Sequence, residues 1–268
     1  MQKPIILPAL GDNFIYVLPY HKDKALVVDP GQSAPVLEAL DARGLILAAI
    51  LVTHHHYDHT AAVAELKRHA PCRVVAPDGR IPGVDLIVDE IPTVHPTGKM
   101  PVPRPTVKLH IREVQVILTP GHTGTSVCYY IPPASEAGAG ILFTGDTLFV
   151  GGCGRVLETD METMYNSILK LATLPPETLV YPGHDYTEEN YRFALTILPD
   201  DPDFRRRLAE TQQAVRDGRP TVPSTIAEEK KSNVFLRARQ PAVKSALNMP
   251  DASNAEAFAE LRRRKDTF

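Results

Sequence analysis

The sequence predicts an α/β protein in which two β-sheets pack between outer helices, a four-layer αββα arrangement followed by a small all-helical domain. Short strand-like runs at residues 4–7, 14–18 and 25–28 are separated by turn residues. A helical pattern follows, which we expect Ser33 to cap and Gly44 to end. Another strand and helix come next, so strands alternate with helices in this part of the chain.

The second half of the chain changes character. Strand signals return between residues 106 and 145, and no convincing strand is predicted after about residue 181. From residue 186 onward, apolar residues recur at helical spacing. We therefore predict a first domain at residues 1–185 and a helical domain at 186–268, which is too short to be readily stable alone. Five prolines between residues 91 and 105 predict an ordered but irregular connection.

The composition is that of a soluble globular protein, with 43% hydrophobic and 23% charged residues. A net charge of −3 argues against a nucleic-acid partner, which would require a basic surface. No apolar run approaches the length of a membrane span, so no membrane association is expected. The N-terminus has no signal-peptide pattern, which makes the cytoplasm the expected location. We also expect a monomer.

The run THHHYDH at residues 53–59 places four potential metal ligands on one short turn. His54 and His56 are two residues apart, so their imidazoles project to the same side of an extended segment. Asp58 and His59 follow where a strand should give way to a helix beginning near residue 60. The run offers two nitrogens to one ion, and a carboxylate with a nitrogen to a second. It therefore predicts a two-metal site.

Three later residues can complete two metal centres. His122, Asp146 and His184 each follow an apolar, β-rich run and lie in a turn that contains glycine. Loops at strand ends can converge on one site while the strands hold them rigid. Four of the other histidines have no partner at ligand spacing. The fifth, His55, lies between two ligands and points to the opposite side of the extended segment. We predict ordinary packing or surface roles for His21, His55, His69, His95 and His110.

The order HxHxDH, then His, Asp and His, resembles the metallo-β-lactamase superfamily, and this resemblance independently implies the αββα sandwich. It also implies a ligand assignment. The first metal would bind His54, His56 and His122, the second would bind Asp58, His59 and His184, and Asp146 would bridge them. We expect two divalent ions. Zinc is the first expectation, although these ligands also suit iron and manganese.

The three cysteines, Cys72, Cys128 and Cys153, are odd in number and widely separated, so no disulfide framework is expected. Cys153 lies a few residues beyond Asp146 and could be a metal ligand. Because histidines and aspartates already fill both metal centres, a packed thiol is the better interpretation.

Two metal ions roughly 3.5–4 Å apart can share a water and lower its pKa, which provides a bridging hydroxide near neutral pH. The chain contains no Gly-x-Ser-x-Gly elbow, the turn that presents a serine nucleophile. We therefore infer metal-assisted hydrolysis of an acyl or phosphoryl compound. The catalytic work is expected to fall on His54, His56, Asp58 and Asp146, with Asp58 also orienting the attacking water.

A second resemblance narrows the substrate. The stretch FTGDTLFVGGCGR at residues 143–155, the turn at 11–14, the segment 181–187 and the terminal RRRKDTF resemble glyoxalase II, the hydroxyacylglutathione hydrolases. This implies hydrolysis of S-D-lactoylglutathione, or a similar 2-hydroxyacyl glutathione, to the acid and glutathione. It also implies four glutathione-binding residues: Arg155, Tyr186, Arg262 and Lys265. Leu157 departs from the family, since many relatives have an aromatic residue there, which leaves thiol preference open.

Other interpretations remain. A basic run at residues 262–265 is more often a solvated helix face, and that interpretation is kept for Arg263 and Arg264. A persulfide dioxygenase of the same fold would use one iron held by two His and one Asp, and would lack the long helical tail. A lactonase or β-lactamase shares the metals but does not explain the basic C-terminus. An RNA-cutting enzyme fits the negative net charge less well. A non-catalytic module fits the complete ligand set less well.

Overall fold

The computed structural model describes residues 3–88, 106–109, 112–135 and 138–268. The chain divides into two compact units, Met1–Leu118 with Thr125–Gly145, and Thr119–Gly124 with Asp146–Phe268. The proline-rich connection predicted at residues 91–105 lies outside the described residues, as do His95 and His110.

The first unit contains a six-stranded sheet in the order β1-β2-β3-β4-β5-β6. Neighbouring strands are antiparallel from β1 to β3 and parallel from β3 to β6. The three strands predicted within residues 4–28 are present. The first begins one residue later and ends two residues later than predicted, and the other two are slightly longer. The strands are β1 Ile5–Ala9, β2 Asn13–His21, β3 Lys24–Val28, β4 Ile46–Leu51, β5 Arg73–Ala76 and β6 Leu86–Ile87.

Helices α1 (Ala34–Asp41) and α3 (Val63–His69) pack on one face of this sheet. Their apolar positions join strand residues in a single core cluster, as amphipathic spacing requires. Helix α2 (Tyr57–Thr60) is a single turn before α3. The helix predicted to begin near residue 60 is therefore divided into the short turn α2 and helix α3, which begins at Val63.

The predicted capping role of Ser33 is wrong. Ser33 itself has helical backbone angles, and its side chain makes no cap hydrogen bond. Its carbonyl instead accepts a hydrogen bond from the backbone N–H of Leu37, at 3.0 Å. A capping side chain needs an extended backbone to reach the first free N–H groups, and Ser33 is already inside the first turn.

A second sheet in the same unit is formed by β7 Thr106–Leu109, β8 Arg112–Leu118, β9 Val127–Ile131 and β10 Ile141–Gly145. Each of these strands pairs in antiparallel fashion with the next one along the chain. The two sheets face each other, because the rings of Tyr16 and Phe143 have centroids 5.3 Å apart. The buried hydroxyl of Tyr129 also donates to the carbonyl of Val52 at 2.8 Å. This sheet-on-sheet contact holds the end of β4, from which the HxHxDH turn begins.

The second unit is mostly helical. Its helices are α4 Met161–Leu171, α5 Thr187–Ile197, α6 Pro202–Arg216, α7 Ile226–Ser232, α8 Pro241–Ala246 and α9 Asn254–Asp266. Its strands are the antiparallel pair β11 Leu148–Phe149 and β12 Gly152–Cys153, together with β13 Leu179–Pro182 and β14 Ser224–Thr225. The prediction of no strand after residue 181 missed β14, which is only two residues long and pairs with β13.

Helix α9 closes the chain with well-defined ends. A reciprocal capping box joins Ser253 and Glu256 at its N-terminus. Its buried face packs against α4, where the rings of Tyr165 and Phe258 have centroids 5.2 Å apart. Among the residues that the structure describes, no helix is long and apolar enough to cross a membrane.

Candidate metal centre

The first group of predicted ligands lies in the first unit, between the end of β4 and the start of α3. His54 is fully buried, and its Nε2 lies 3.1 Å from Nδ1 of His56. Two nitrogens bound to one tetrahedral ion at about 2.0–2.1 Å would lie about 3.3 Å apart. The imidazoles therefore converge as two ligands of a single metal would, as their spacing in the sequence predicts.

A buried hydrogen-bond network fixes which nitrogen of His54 faces the site. The hydroxyl of Thr53 donates to Oδ2 of Asp29 at 2.7 Å, so its oxygen is left to accept from Nδ1 of His54 at 3.0 Å. Nδ1 of His54 therefore carries the proton, and Nε2 carries the lone pair that a metal needs. Asp29 also accepts the backbone N–H of Thr53 at 2.8 Å, which holds the turn itself.

The same aspartate orients His59. Nδ1 of His59 lies 3.1 Å from Oδ2 of Asp29, and both side chains are buried. Because a carboxylate only accepts, Nδ1 of His59 donates and Nε2 is available as a ligand. That Nε2 lies 3.4 Å from Oδ2 of Asp58. His59 and Asp58 thus form the nitrogen-plus-carboxylate pair that the sequence predicts for a second ion.

Two neighbours hold Asp58 in place. The side-chain amide of Asn13 donates to Oδ2 of Asp58 at 2.9 Å. Gly31 lies so close to this turn that a Cβ there would sit 2.0 Å from the backbone oxygen of Asp58. Any residue larger than glycine at position 31 would push the ligand turn out of place.

The second group of predicted ligands lies in the second unit. Oδ2 of the buried Asp146 lies 3.4 Å from Nε2 of His122 and 3.3 Å from Nε2 of His184. One carboxylate oxygen thus stands between two imidazole nitrogens. This geometry suits a carboxylate shared by two ions, each of which also binds one of the histidines.

Partners of the opposite ring nitrogens fix both imidazoles. Nδ1 of His122 donates to the backbone carbonyl of Arg155 at 2.9 Å, which leaves Nε2 with the lone pair. The ring of Tyr186 stacks on that of His184 with an interplanar angle of 7°, and its hydroxyl lies 3.3 Å from Nδ1. Both Nε2 atoms are therefore presented toward Asp146.

Glycines allow the backbone around Asp146 to pack closely. Gly145 has a φ of +47°, and a Cβ there would lie 2.2 Å from the hydroxyl of Thr53. A Cβ on Gly154 would lie 1.9 Å from the carbonyl oxygen of Asp146. The chain therefore leaves Asp146, turns through β11 and β12, and returns to pack on the backbone of Asp146.

The two groups supply the nitrogen and carboxylate donors that zinc, iron and manganese accept. His54, His59, His122, Asp146 and His184 are all buried. Several buried lone pairs directed at one another, with neighbours that hold the protons on the far sides, are unfavourable without a cation. The residues present therefore fit divalent metal ions.

The predicted glutathione-binding residues have different environments. Arg155 is exposed, whereas Arg262 is buried and donates from Nη1 to the carbonyl of Cys153 at 2.7 Å. Arg262 is also paired with Asp266 at 3.0 Å. Lys265 is paired with Glu189 on α5. Arg262 and Lys265 thus already have partners in the second unit.

Two further positions bear on the sequence predictions. Leu157, the predicted departure from the family pattern, is 58% exposed. Cys153 is a free, buried thiol, and its burial raises its pKa to about 11, although Arg262 opposes this shift. A thiol in this setting is the packed residue expected from the sequence.

Sequence reasoning missed Asp29 and Asn13, which hold the ligand turn. In the sequence, Asp29 reads only as part of the turn Asp-Pro-Gly, although an aspartate directly after a buried strand is a signal for a functional role. Its positive φ of 51° is a second sign of special use that becomes visible only in the structure. Asn13 lies in the turn at residues 11–14, and no local pattern indicates that it contacts Asp58.

Known protein families match both parts of the chain. The model of the metallo-β-lactamase superfamily matches residues 9–184, and the model of the hydroxyacylglutathione hydrolase C-terminus matches residues 185–268. The chain is a member of the metallo-β-lactamase superfamily. Within that superfamily, the chain belongs to the hydroxyacylglutathione hydrolase family, and both resemblances drawn from the sequence are confirmed.

Individual relatives and solved structures are also similar to this chain. A hydroxyacylglutathione hydrolase from Chromohalobacter salexigens is 43% identical over 269 residues, covering 98% of each chain. The crystal structure of ETHE1 from Myxococcus xanthus has a TM-score of 0.65 at 24% identity, covering 98% of this chain and 90% of that one. A solved structure of TTHA1623 in a di-iron-bound form is 28% identical, with a TM-score of 0.53, and covers 87% of this chain and all of the other. The four-layer αββα sandwich with a helical C-terminal region is thus the fold of this chain.

Proposed function

We propose that this chain hydrolyses 2-hydroxyacyl thioesters of glutathione, with S-D-lactoylglutathione as the principal substrate, to a 2-hydroxy acid and free glutathione. The observation that carries the proposal is the position of Oδ2 of Asp146 between Nε2 of His122 and Nε2 of His184. A carboxylate oxygen between two imidazole nitrogens fits a ligand that two ions of a hydrolytic site would share. Membership of the hydroxyacylglutathione hydrolase family supports the substrate class.

We further propose that the two ligand groups complete one dinuclear centre. One ion would be held by His54, His56 and His122, the other by Asp58, His59 and His184, with Asp146 shared between them. Two bound divalent ions would supply an activated water near neutral pH and polarise the thioester carbonyl. Zinc is our first choice for both ions. The di-iron form of TTHA1623 supports iron as an alternative.

The chain's own residues have defined tasks in this reaction. Asp58, held by Asn13, would orient the attacking water. Asp29 and Thr53 keep the ring protons of His54 and His59 on the side away from the metals. The leaving thiolate has a conjugate acid with a pKa of about 8.5, so it can depart without a dedicated general acid. That agrees with a site whose ionisable residues are nearly all ligands.

Glutathione recognition is proposed for the second unit. Arg and Lys side chains bind carboxylates through charge-assisted hydrogen bonds, and the tripeptide has two carboxylates. Arg155 is exposed and lies one residue beyond Gly154, which packs on Asp146. Tyr186 is stacked on the ligand His184, where it could contact the thioester's peptide portion. Arg262 and Lys265 would exchange part of their present pairing for the substrate carboxylate.

The domain boundary proposed from the sequence, between residues 185 and 186, assigns the metal ligands to the first domain and most of the glutathione contacts to the second. A persulfide dioxygenase is the closest rival activity. Such an enzyme would need only two His and one Asp for its single iron, whereas this chain retains the additional set Asp58, His59 and His184.

The proposal is tested by steady-state kinetics with matched substrates on zinc-loaded protein. We expect S-D-lactoylglutathione to be hydrolysed efficiently. The same acyl group on a thiol without the tripeptide should show a much higher KM with a similar kcat, because remote binding is lost. Oxygen uptake with glutathione persulfide by the iron-loaded protein, with no thioester hydrolysis by either metal form, would establish the rival activity instead.

A further inference from the structure

The loop that joins Asp146 to Arg155 is held from outside by the helical C-terminal region. This loop, defined here as the return loop, comprises residues 147–155 and contains β11, β12 and the tight turn between them. Its start adjoins the shared ligand Asp146. Its end carries the carbonyl that orients His122, at 2.9 Å. Movement of the return loop would therefore disturb two proposed metal ligands together.

Two buried side chains on and just after α7 hold the turn of the return loop. Oε2 of Glu229 accepts the backbone N–H of Gly151 at 2.9 Å. The side-chain amide of Asn233 donates to the carbonyl of Gly152 at 2.9 Å and to that of Phe149 at 3.3 Å. The same amide nitrogen also donates to Oε2 of Glu229 at 2.9 Å, so the two side chains act as one unit.

The pair is buried and lies far along the chain from the loop that it holds. Glu229 and Asn233 are both fully buried. They lie about 80 residues along the chain from the groups that they bind. A buried carboxyl costs free energy unless hydrogen bonds compensate for its lost hydration. Here Oε2 of Glu229 is compensated by the backbone N–H of Gly151 and by the amide of Asn233. Apolar side chains could not hold the peptide groups of the return loop in this way.

The loop itself is shaped to fit these contacts. Gly151 has a φ of +71°, and a Cβ there would lie 2.9 Å from the ring of Tyr191. A Cβ on Gly152 would lie 2.5 Å from the amide of Asn190, which donates to the carbonyl of Val150 at 3.0 Å. The turn thus packs directly on α5 as well as on the Glu229–Asn233 pair, with no space for displacement toward the helices.

We propose that Glu229 and Asn233 are positioning residues of the metal centre. By fixing the turn of the return loop, they set Asp146 at the start of the loop and the Arg155 carbonyl that orients His122 at its end. The helical C-terminal region therefore contributes to metal retention as well as to substrate binding. This inference rests on the proposed function, because it assumes that Asp146 and His122 bind metal.

The test compares two substitutions of similar size at residue 229. Glu229→Gln retains an oxygen that can accept from Gly151 and Asn233, whereas Glu229→Met retains the length of the side chain without an acceptor. Burial raises the pKa of Glu229 above its ordinary value, although hydrogen bonds oppose the shift, so a neutral amide is a mild replacement. Asn233→Leu removes the donors on the partner side.

The principal readout is metal affinity, measured by competition with a chromophoric zinc chelator on folded protein. We expect Glu229→Met and Asn233→Leu to weaken zinc retention roughly 10–100-fold, the usual effect of losing a group that orients a ligand. Glu229→Gln should stay within about threefold of the wild type by the same reasoning. Hydrogen exchange of a peptide covering residues 147–155 should accelerate in Glu229→Met and Asn233→Leu, and not in Glu229→Gln.

A general loss of stability must be separated from loss of positioning. Phe204→Leu, in α6, removes buried apolar volume in the same unit without touching the return loop. It should lower the melting temperature and leave zinc affinity unchanged at 25 °C. If Glu229→Met and Asn233→Leu behave like Phe204→Leu, with unchanged zinc affinity, the positioning role is wrong. If the wild type itself binds neither zinc nor iron and does not hydrolyse S-D-lactoylglutathione, the proposed function fails instead.

Discussion

Nε2 of His184 lies 3.3 Å from Oδ2 of Asp146, and this oxygen also lies 3.4 Å from Nε2 of His122. Tyr186 and the carbonyl of Arg155 hold the opposite nitrogens of the two rings. The bare side chains are thus arranged as though a cation stood on each side of one carboxylate oxygen.

Removing a direct ligand should abolish turnover without unfolding the protein. His54→Ala and Asp146→Ala should each lower kcat by more than the roughly 100-fold that loss of an outer partner costs. His69→Ala is the matched control, because His69 is exposed at the end of α3. Circular dichroism and metal analysis should accompany the kinetics. Near-wild-type activity of either ligand variant would refute the proposed site.

Asp29 should matter almost as much as a ligand, although it is not expected to bind metal. Asp29→Asn would direct an amide N–H toward groups that also donate, namely the hydroxyl of Thr53 or Nδ1 of His59. Freed from their partner, the imidazoles of His54 and His59 could rotate, so we expect zinc affinity to fall about 10–100-fold. Asp23→Asn, at an exposed turn, is the control. Equal zinc retention by the two variants would contradict the orienting role.

The basic residues of α9 should affect KM more than kcat. Charge-assisted hydrogen bonds contribute about 1.5–3 kcal/mol each, or roughly tenfold to a hundredfold in KM for one residue. The double variant Arg262→Ala, Lys265→Ala should therefore raise KM by about a hundredfold or more. Arg262→Ala should also lower the melting temperature, because it removes the partner of the Cys153 carbonyl. Arg263→Ala, whose side chain is 61% exposed, should leave KM unchanged. An unchanged KM in the double variant would exclude this helix as the glutathione clamp.

Cys153 should behave as a packed thiol and not as a metal ligand. Because burial raises its pKa to about 11, only about one molecule in a thousand carries the thiolate at pH 8. Iodoacetamide should therefore leave Cys153 unmodified in native protein at pH 8 and alkylate it after denaturation, as mass spectrometry can show. Cys153→Ala should keep the wild-type zinc content. A variant that binds one ion fewer would assign the thiol to the metal centre.

The sequence allowed accurate prediction where the signal is local. Strand and helix periodicity located most elements, and the spacing of His54, His56, Asp58 and His59 was enough to indicate the first ligand group. Contacts over long sequence separation could not be predicted in this way. Asn13 reaches Asp58, and Glu229 reaches Gly151, across 45 and 78 residues with no periodic pattern to link them. Ser33 and β14 were mispredicted because tertiary contacts, and not local propensity, decide their conformation.

The most direct test of the two-metal assignment is a zinc titration of chelator-stripped protein, with hydrolysis of S-D-lactoylglutathione and bound metal measured on the same samples. If both ligand groups form one dinuclear centre, turnover should reach its maximum as occupancy approaches two ions per chain. Full activity at one ion per chain, or no hydrolysis at two, would contradict the assignment.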